Sequence, residues 1–294
     1  YISPKLIDQM VDGNTVPKLG GDEDIHTAVF TDIQEFSRFS EQLTPTELVE
    51  LLNDYLTEMT NILLDNQGTL DKYIGDAIVA FYGAPVPVED HEYKACLTAL
   101  LMQKKLYELR KKWKTESKYW PNIVYNMQMR IGIHTGKMVT GNMGSKHRMN
   151  YTMMGDTVNL AARLESSAKQ YGIYSQISEE TYLSIQDRIS VRELDHVRVF
   201  GKENPVKTYE LISLRGQEPE WYKQINEPFA KGIHHFQKGE FEKAKQLFEL
   251  TVENENMFDG RNINPSLLYV ERCNMLIKKP PKEWDGIWSL TSKK

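Results

Sequence analysis

Phe30-Thr31-Asp32-Ile33 and Lys72-Tyr73-Ile74-Gly75-Asp76 each place one aspartate at the end of a β-like apolar run. A third stretch, from Gly155 to Arg163, supplies an amide, Asn159, and a guanidinium, Arg163, four residues apart. Two carboxylates can hold hard divalent cations, and a cation aimed from elsewhere neutralises phosphate charge. Together these are the protein groups that phosphoryl chemistry on a nucleotide requires. The expectation is an enzyme acting on a nucleoside triphosphate.

The elements that must position these groups can be read around them. Thr27 to Thr31 is β-rich and reads as a buried strand ending at Asp32. Thr44-Pro45-Thr46-Glu47 is a helix start, with proline early and an acid in the first turn. Leu48, Leu51, Leu52, Tyr55, Leu56, Met59, Ile62 and Leu63 then recur at helical spacing, and the helix ends near Gly68. Thr69–Ile74 and Ala77–Phe81 read as two strands joined through Gly75-Asp76, which puts Asp76 at a hairpin tip. A second helix is expected from about His91 to Trp113, then strands at about Val124–His134 and Lys137–Gly144. Asn159 and Arg163 fall on one face of a helix beginning near Gly155. The order strand, helix, helix, strand, strand, helix, strand is read as a ferredoxin-like α+β arrangement, with helices packed on one face of an antiparallel sheet.

In its motifs the chain resembles the class III nucleotidyl cyclases, which turn ATP or GTP into a 3′,5′-cyclic monophosphate and pyrophosphate. The resemblance runs in order from about Ala28 to Leu211. It rests on the two aspartate motifs, on Arg130-Ile131-Gly132-Ile133-His134-Thr135-Gly136, and on Tyr151-Thr152 followed by Gly155-Asp156-Thr157-Val158-Asn159. It implies the cyclase elaboration of the ferredoxin-like fold. It also implies two Mg²⁺ or Mn²⁺ ions per active site on Asp32, Asp76 and the backbone carbonyl of Ile33. Asn159 would orient the ribose and Arg163 would stabilise charge at the α-phosphate.

Base choice follows from two further positions. Lys72 matches the lysine that reads adenine in adenylyl cyclases, and Thr152 matches its polar partner; guanylyl cyclases carry glutamate and cysteine there. The pair implies ATP, with GTP the alternative, and threonine in place of the commoner aspartate resembles the bicarbonate-responsive subgroup. Lys202 matches one lysine of a Val-Lys-Gly-Lys pattern, with Phe200 replacing the other, and is a candidate triphosphate contact. Arg148 and Lys146 are alternatives. Lys72 and Asp76 are four residues apart, about 13 Å if extended, which is awkward for a single nucleotide. In homodimeric members each site draws its metal aspartates from one subunit and its base-reading residues from the other, so a homodimer is expected.

Length and composition agree. With 294 residues, 40% hydrophobic and 26% charged, the chain can bury at least one full core. A net charge of −5 lacks the basic excess of a nucleic-acid binder, and Arg110-Lys111-Lys112-Trp113-Lys114 reads as a solvated helix end. Cys96 and Cys273 have neither metal-site nor disulfide-framework spacing, and no apolar stretch approaches a membrane span, so a cytoplasmic setting is expected. Tyr1 opens the chain in place of methionine, which suggests a piece of something longer with an upstream sensory domain. Residues 1–26 read as a linker, including Gly20-Gly21-Asp22-Glu23-Asp24, which resembles a diguanylate cyclase signature and is taken as loop. The catalytic domain is expected over 27–214. Residues 215–294 change character: the spacing of Phe229, Gly232, Phe236, Gly239, Phe241, Ala244 and Phe248 is similar to one tetratricopeptide-type hairpin. A further helix around Leu267–Met275 follows, with Trp284 and Trp288 as candidate anchors of the tail.

Overall fold

The computed structural model describes residues 18–116, 118–145, 147–198, 205–255 and 263–289. The chain divides into two compact units, residues 1–166 and 167–294.

In the first unit, β1 (Gly20–Ile33) leads to α1 (Pro45–Asp65), the hairpin of β2 (Thr69–Ile74) and β3 (Ala77–Tyr82), α2 (His91–Thr115) and β4 (Met129–Ser145). The strands lie in the order β2-β3-β1-β4, every neighbouring pair antiparallel, which is the expected ferredoxin-like arrangement. Helix α1 starts as its sequence dictates. Thr44 Oγ1 accepts the Glu47 N–H at 3.3 Å and the Glu47 carboxylate accepts the Thr44 N–H at 2.9 Å, a reciprocal capping box with Pro45 in the first turn. Its stripe of Leu51, Tyr55, Met59 and Leu63 is buried.

Two expectations are corrected. Gly20 to Asp24, taken as loop, is strand: it pairs residue by residue with Thr140 to Asn142 and their neighbours on β4, and backbone pairing overrides the poor β-propensity of glycine and acids. The two strands expected between residues 124 and 144 are one strand from Met129, and Asn122–Tyr125 forms a short helical turn instead. Pro121 at the start of that turn fixes a helix-compatible φ and leaves no N–H to waste.

β4 turns into β5 (Arg148–Met154), and this arm folds back across one face of the sheet, where Tyr151 and Met153 pack with Ala28, Val79 and Phe81. On the same face α3 (Asp156–Tyr171) crosses β4 at Gly132. A Cβ at Gly132 would lie 2.2 Å from the Glu165 amide nitrogen and 2.3 Å from the Ala161 carbonyl oxygen, both rigid helix backbone. Gly132→Ala should therefore force α3 off the sheet, at a cost of about 1–3 kcal/mol in chemical denaturation. It should also displace Asn159 and Arg163, the expected ribose and phosphate contacts, which lie on that helix, and so lower any activity that depends on them. A variant of unchanged stability and activity would show that the close approach is unimportant.

The second unit contains β6 (Ser175–Ser178), α4 (Glu179–Ile185), β7 (Ile189–Arg198) and β8 (Val206–Leu214), then α5 (Glu220–Gln237), α6 (Phe241–Val252), α7 (Pro265–Lys278) and the short β9 (Trp288–Ser289). Its strands lie in the order β6-β8-β7-β9. Phe229, Phe236, Phe241, Phe248 and Tyr269 form the core of the helices. Trp284 Nε1 donates to the Phe236 carbonyl at 3.0 Å and the Trp288 ring lies under the Arg272 guanidinium, so both tryptophans fasten the tail. The helices also meet β7 through buried charge. Arg192 of β7 bonds Glu210 of β8 at 2.9 Å and Glu255, just beyond α6, at 2.8 Å, while Arg272 of α7 pairs with Asp195 of β7.

Candidate active site

The β2–β3 turn delivers Asp76. Gly75 there has φ of +64°, which suits glycine and lets the hairpin close in two residues. Asp76 is only 6% exposed, and its Oδ2 accepts the Ile33 backbone N–H at 2.8 Å. That bond ties the hairpin tip to the end of β1, one residue beyond Asp32. One residue before Asp32, Thr31 Oγ1 accepts the Ile78 N–H at 3.1 Å, so the hairpin is latched to β1 through the residues on either side of Asp32 in the chain.

Asp32 lies opposite Arg130 of β4 and pairs with its guanidinium; Arg130 Nε in turn donates to Glu165 of α3 at 2.8 Å. Burial pushes the Asp32 carboxyl up, and Arg130 pulls it back. Burial likewise raises Asp76 to about 6, opposed by the Ile33 N–H and reinforced by the negative charge of Asp32. Two crowded carboxylates, both with raised proton affinity and with the Arg130 guanidinium beside them, are a donor set short of positive charge. Hard oxygen donors of this kind fit Mg²⁺ or Mn²⁺ retaining part of its water shell. Among the described residues no group of three or more His, Cys, Asp or Glu side chains is poised as metal ligands, so backbone oxygen and water would have to complete the shell.

The raised Asp76 value has a signed consequence. The folded value, about 6, exceeds the ordinary 3.8, so the fold favours the protonated carboxyl. Its contribution to metal-free stability is fully present below pH 3.8 and is lost as pH rises through about 6. A divalent ion held by Asp76 would compete with that proton, so the apparent affinity for Mn²⁺ would weaken up to about tenfold per pH unit below 6. Melting with and without Mn²⁺ across this window checks both trends. Asp76→Asn should abolish them, and a wild-type profile flat with pH would contradict the assignment.

Asn159 is exposed on the first turns of α3, and Arg163 follows one turn later, half-buried. Arg163 Nη1 is buried and has no hydrogen-bond partner among the described residues. A buried N–H without an acceptor is costly to keep, which marks Arg163 as a donor held ready for another group.

A second cluster forms elsewhere on the sheet. Lys72 Nζ donates to Thr152 Oγ1 at 3.3 Å, and Thr152 Oγ1 donates to Asp71 Oδ2 at 2.6 Å. The structure therefore brings Lys72 and Thr152 together, and separately brings Asp32, Ile33 and Asp76 together. Among the described residues no hydrogen bond or ion pair joins the two groups. Arg148 opens β5 at the exposed end of the arm, in neither group. Lys202 and Lys146 lie outside the described residues.

Arg130, Glu165 and Asp71 are the site neighbours that motif reading passed over. Arg130 carried a signal, since a charge inside the apolar strand Met129-Arg130-Ile131 must find a partner once buried. Glu165 and Asp71 carried none beyond position.

Comparison with known proteins agrees with this geometry. The family model of the adenylate and guanylate cyclase catalytic domain matches residues 22–213. Adenylate cyclase 1 of Rhizobium meliloti (strain 1021) is 32% identical over 188 residues, covering 64% of this chain and 27% of the relative. Adenylate cyclase of Anabaena cylindrica is 36% identical over 191 residues, covering 63% and 36%. The chain thus spans about a third or less of these relatives' length. Among solved structures, the adenylyl cyclase CyaB from P. aeruginosa aligns with a TM-score of 0.60 at 34% identity, covering 68% of this chain and 100% of that one. The guanylyl cyclase Cya2 aligns with a TM-score of 0.60 at 32% identity, covering 68% and 97%. With the match spanning the strands, the hairpin and the helix that carry these side chains, the chain belongs to the adenylate and guanylate cyclase catalytic-domain family.

Proposed function

We propose that the protein is an adenylate cyclase, converting ATP to 3′,5′-cyclic AMP and pyrophosphate at two sites shared across a homodimer. The observation that carries ATP over GTP is the Lys72–Thr152 pair, joined at 3.3 Å. In the reaction the ribose 3′-hydroxyl gives its proton to water, its oxygen bonds the α-phosphorus, and the bond from that phosphorus to the bridging oxygen breaks, releasing pyrophosphate. When bound to Asp32, Asp76 and the Ile33 carbonyl, two divalent ions would supply Lewis-acid stabilisation of the attacking and leaving oxygens. Asn159 orients the ribose. Arg163 directs its unpaired N–H at charge developing on the α-phosphate, an interaction of the kind whose removal costs on the order of 10²–10³ in kcat. Arg130 keeps Asp32 oriented and holds a permanent positive charge beside the carboxylates.

Sharing follows from the separation of the two clusters. Lys72 and Asp76 are four residues apart along the hairpin, about 13 Å when extended, so one nucleotide reaching both within one chain is strained. A two-fold axis that sets the Asp32–Asp76 end of one copy against the Lys72–Thr152 end of the other completes two sites at once. The catalytic region is assigned to residues 20–214, because β1 already pairs with β4 from Gly20, with the residues before it leading to an upstream sensor and 215–294 as an extension.

A guanylate cyclase is the second reading, favoured by the similarity to Cya2. Turnover of ATP and of GTP with Mn²⁺ separates the two. Cyclic AMP and pyrophosphate from ATP, at kcat/KM at least about tenfold above that for GTP, is expected. Faster cyclic GMP formation would reverse the assignment, and neither product from folded dimer would sink it.

A further inference from the structure

Asp71 is the buried member of the Lys72–Thr152 cluster: its side chain is 2% exposed, against 44% for Lys72 beside it. Successive residues of a strand ordinarily face opposite sides. Here the β2–β3 register shifts between Leu70 and Lys72, leaving Asp71 in the irregular position. Such a bulge re-aims a side chain, and it allows both Asp71 and Lys72 to reach the one hydroxyl of Thr152.

The direction of these bonds matters more than their number. An ionised carboxylate can only accept, so in the 2.6 Å contact the proton belongs to Thr152 and points at Asp71 Oδ2. A threonine hydroxyl has one proton and two lone pairs. With the proton committed inward, and one lone pair facing Lys72 at 3.3 Å, Thr152 Oγ1 has only acceptor capacity left for a ligand. Lys72 has only protons to give. The pair therefore presents an acceptor beside a donor. Adenine carries the complement on its Watson–Crick edge, the 6-amino donor beside the N1 acceptor, whereas guanine and hypoxanthine carry an O6 acceptor beside an N1–H donor. Without Asp71 the hydroxyl would be free to rotate and serve either edge.

We infer that Asp71 is a positioning residue for base choice: by holding the Thr152 proton it makes position 152 an obligate acceptor and so selects a 6-aminopurine. The inference rests on the proposed reading of Lys72 and Thr152 as the base-reading pair. Asp71 touches no substrate in this role; it acts through Thr152, while its other carboxylate oxygen lies 3.3 Å from Lys72 Nζ and holds the donor beside the acceptor.

The test compares kcat/KM for ATP, inosine triphosphate and the triphosphate of 6-unsubstituted purine riboside in the full chain. Asp71→Leu, which removes the acceptor, should lower the ATP-to-inosine-triphosphate ratio roughly tenfold or more, the scale expected when a polar group loses its partner. Turnover of the 6-unsubstituted nucleotide should stay within about twofold, because it has no amino group for Thr152 to hold. Equal losses on all three substrates, or an unchanged ratio, would overturn the inference and leave Asp71 a structural residue. Should Asp71→Leu fold poorly, the double variant Asp71→Asn/Thr152→Asp decides. It moves the carboxylate to position 152, keeps the buried charge count, and should restore ATP preference; failure to restore it in folded protein also overturns the inference. Wild-type protein that shows no preference for ATP over inosine triphosphate overturns the base-reading assignment itself, before any Asp71 variant is made.

Discussion

Asp32→Ala should lower cyclic nucleotide formation by at least about a thousandfold while leaving the fold intact, since charge stabilisation by metal ligands is worth several kcal/mol at the transition state. The fold should survive because Asp32 is not the sole partner of Arg130. Arg130 Nε keeps its 2.8 Å bond to Glu165, so no buried guanidinium is stranded. Asp76 should also lose part of its elevated proton affinity, because the Asp32 charge is among the influences that raise it. Denaturation within about 0.5 kcal/mol of wild type, beside the lost activity, is the expected pair of results. A variant that unfolds would assign Asp32 a structural role; one that stays active would remove it from the site.

The largest stability effect is expected far from the chemistry, in the buried charges of residues 167–294. Arg272→Ala removes the guanidinium that pairs with Asp195 and leaves that carboxylate with the Tyr171 hydroxyl, which donates to it at 2.7 Å. Breaking one side of a buried ion pair costs about 3–5 kcal/mol, a large share of a domain's stability. The double variant Asp195→Asn/Arg272→Met should recover part of the loss, because neither charge is then left alone. The same logic applies to cutting the chain after Leu214. Truncation deprives Asp195 of Arg272 and Arg192 of Glu255, and removes Tyr222 and Tyr269, whose hydroxyls donate to the carbonyls of Val191 and Leu194 at 2.8 Å each. The shortened protein should melt far below the full chain. Equal melting temperatures would mean that the helices are an independent appendage.

Much of the catalytic geometry was legible because it is local. A helix start at Thr44, a hairpin tip at Asp76, and Asn159 and Arg163 one turn apart each follow from a few adjacent residues whose backbone preferences agree. What escaped was set by partners distant in the chain. Gly20 to Asp24 has the composition of a loop, and only the facing run on β4 makes it strand. Arg130 meets Asp32 and Glu165 across 98 and 35 residues, and Asp71 meets Thr152 across 81. A bulge that turns Asp71 towards its neighbour's side leaves no mark on the hydrophobic alternation, since Asp71 and Lys72 are polar in any register. Buried charge pairs in the C-terminal unit are equally silent, because Arg192, Asp195, Glu255 and Arg272 read individually as surface residues.

ATP cyclisation at sites completed by two copies of the chain is tested by subunit mixing. Asp32→Ala and Arg163→Ala proteins, each inactive alone, are combined under conditions in which exchange between dimers is verified, and cyclic AMP is measured. Each mixed dimer would hold one intact site and one doubly defective site. Random pairing would then restore roughly a quarter of wild-type activity. No recovery despite demonstrated exchange would place Asp32 and Arg163 in the same site of a single chain and contradict the account.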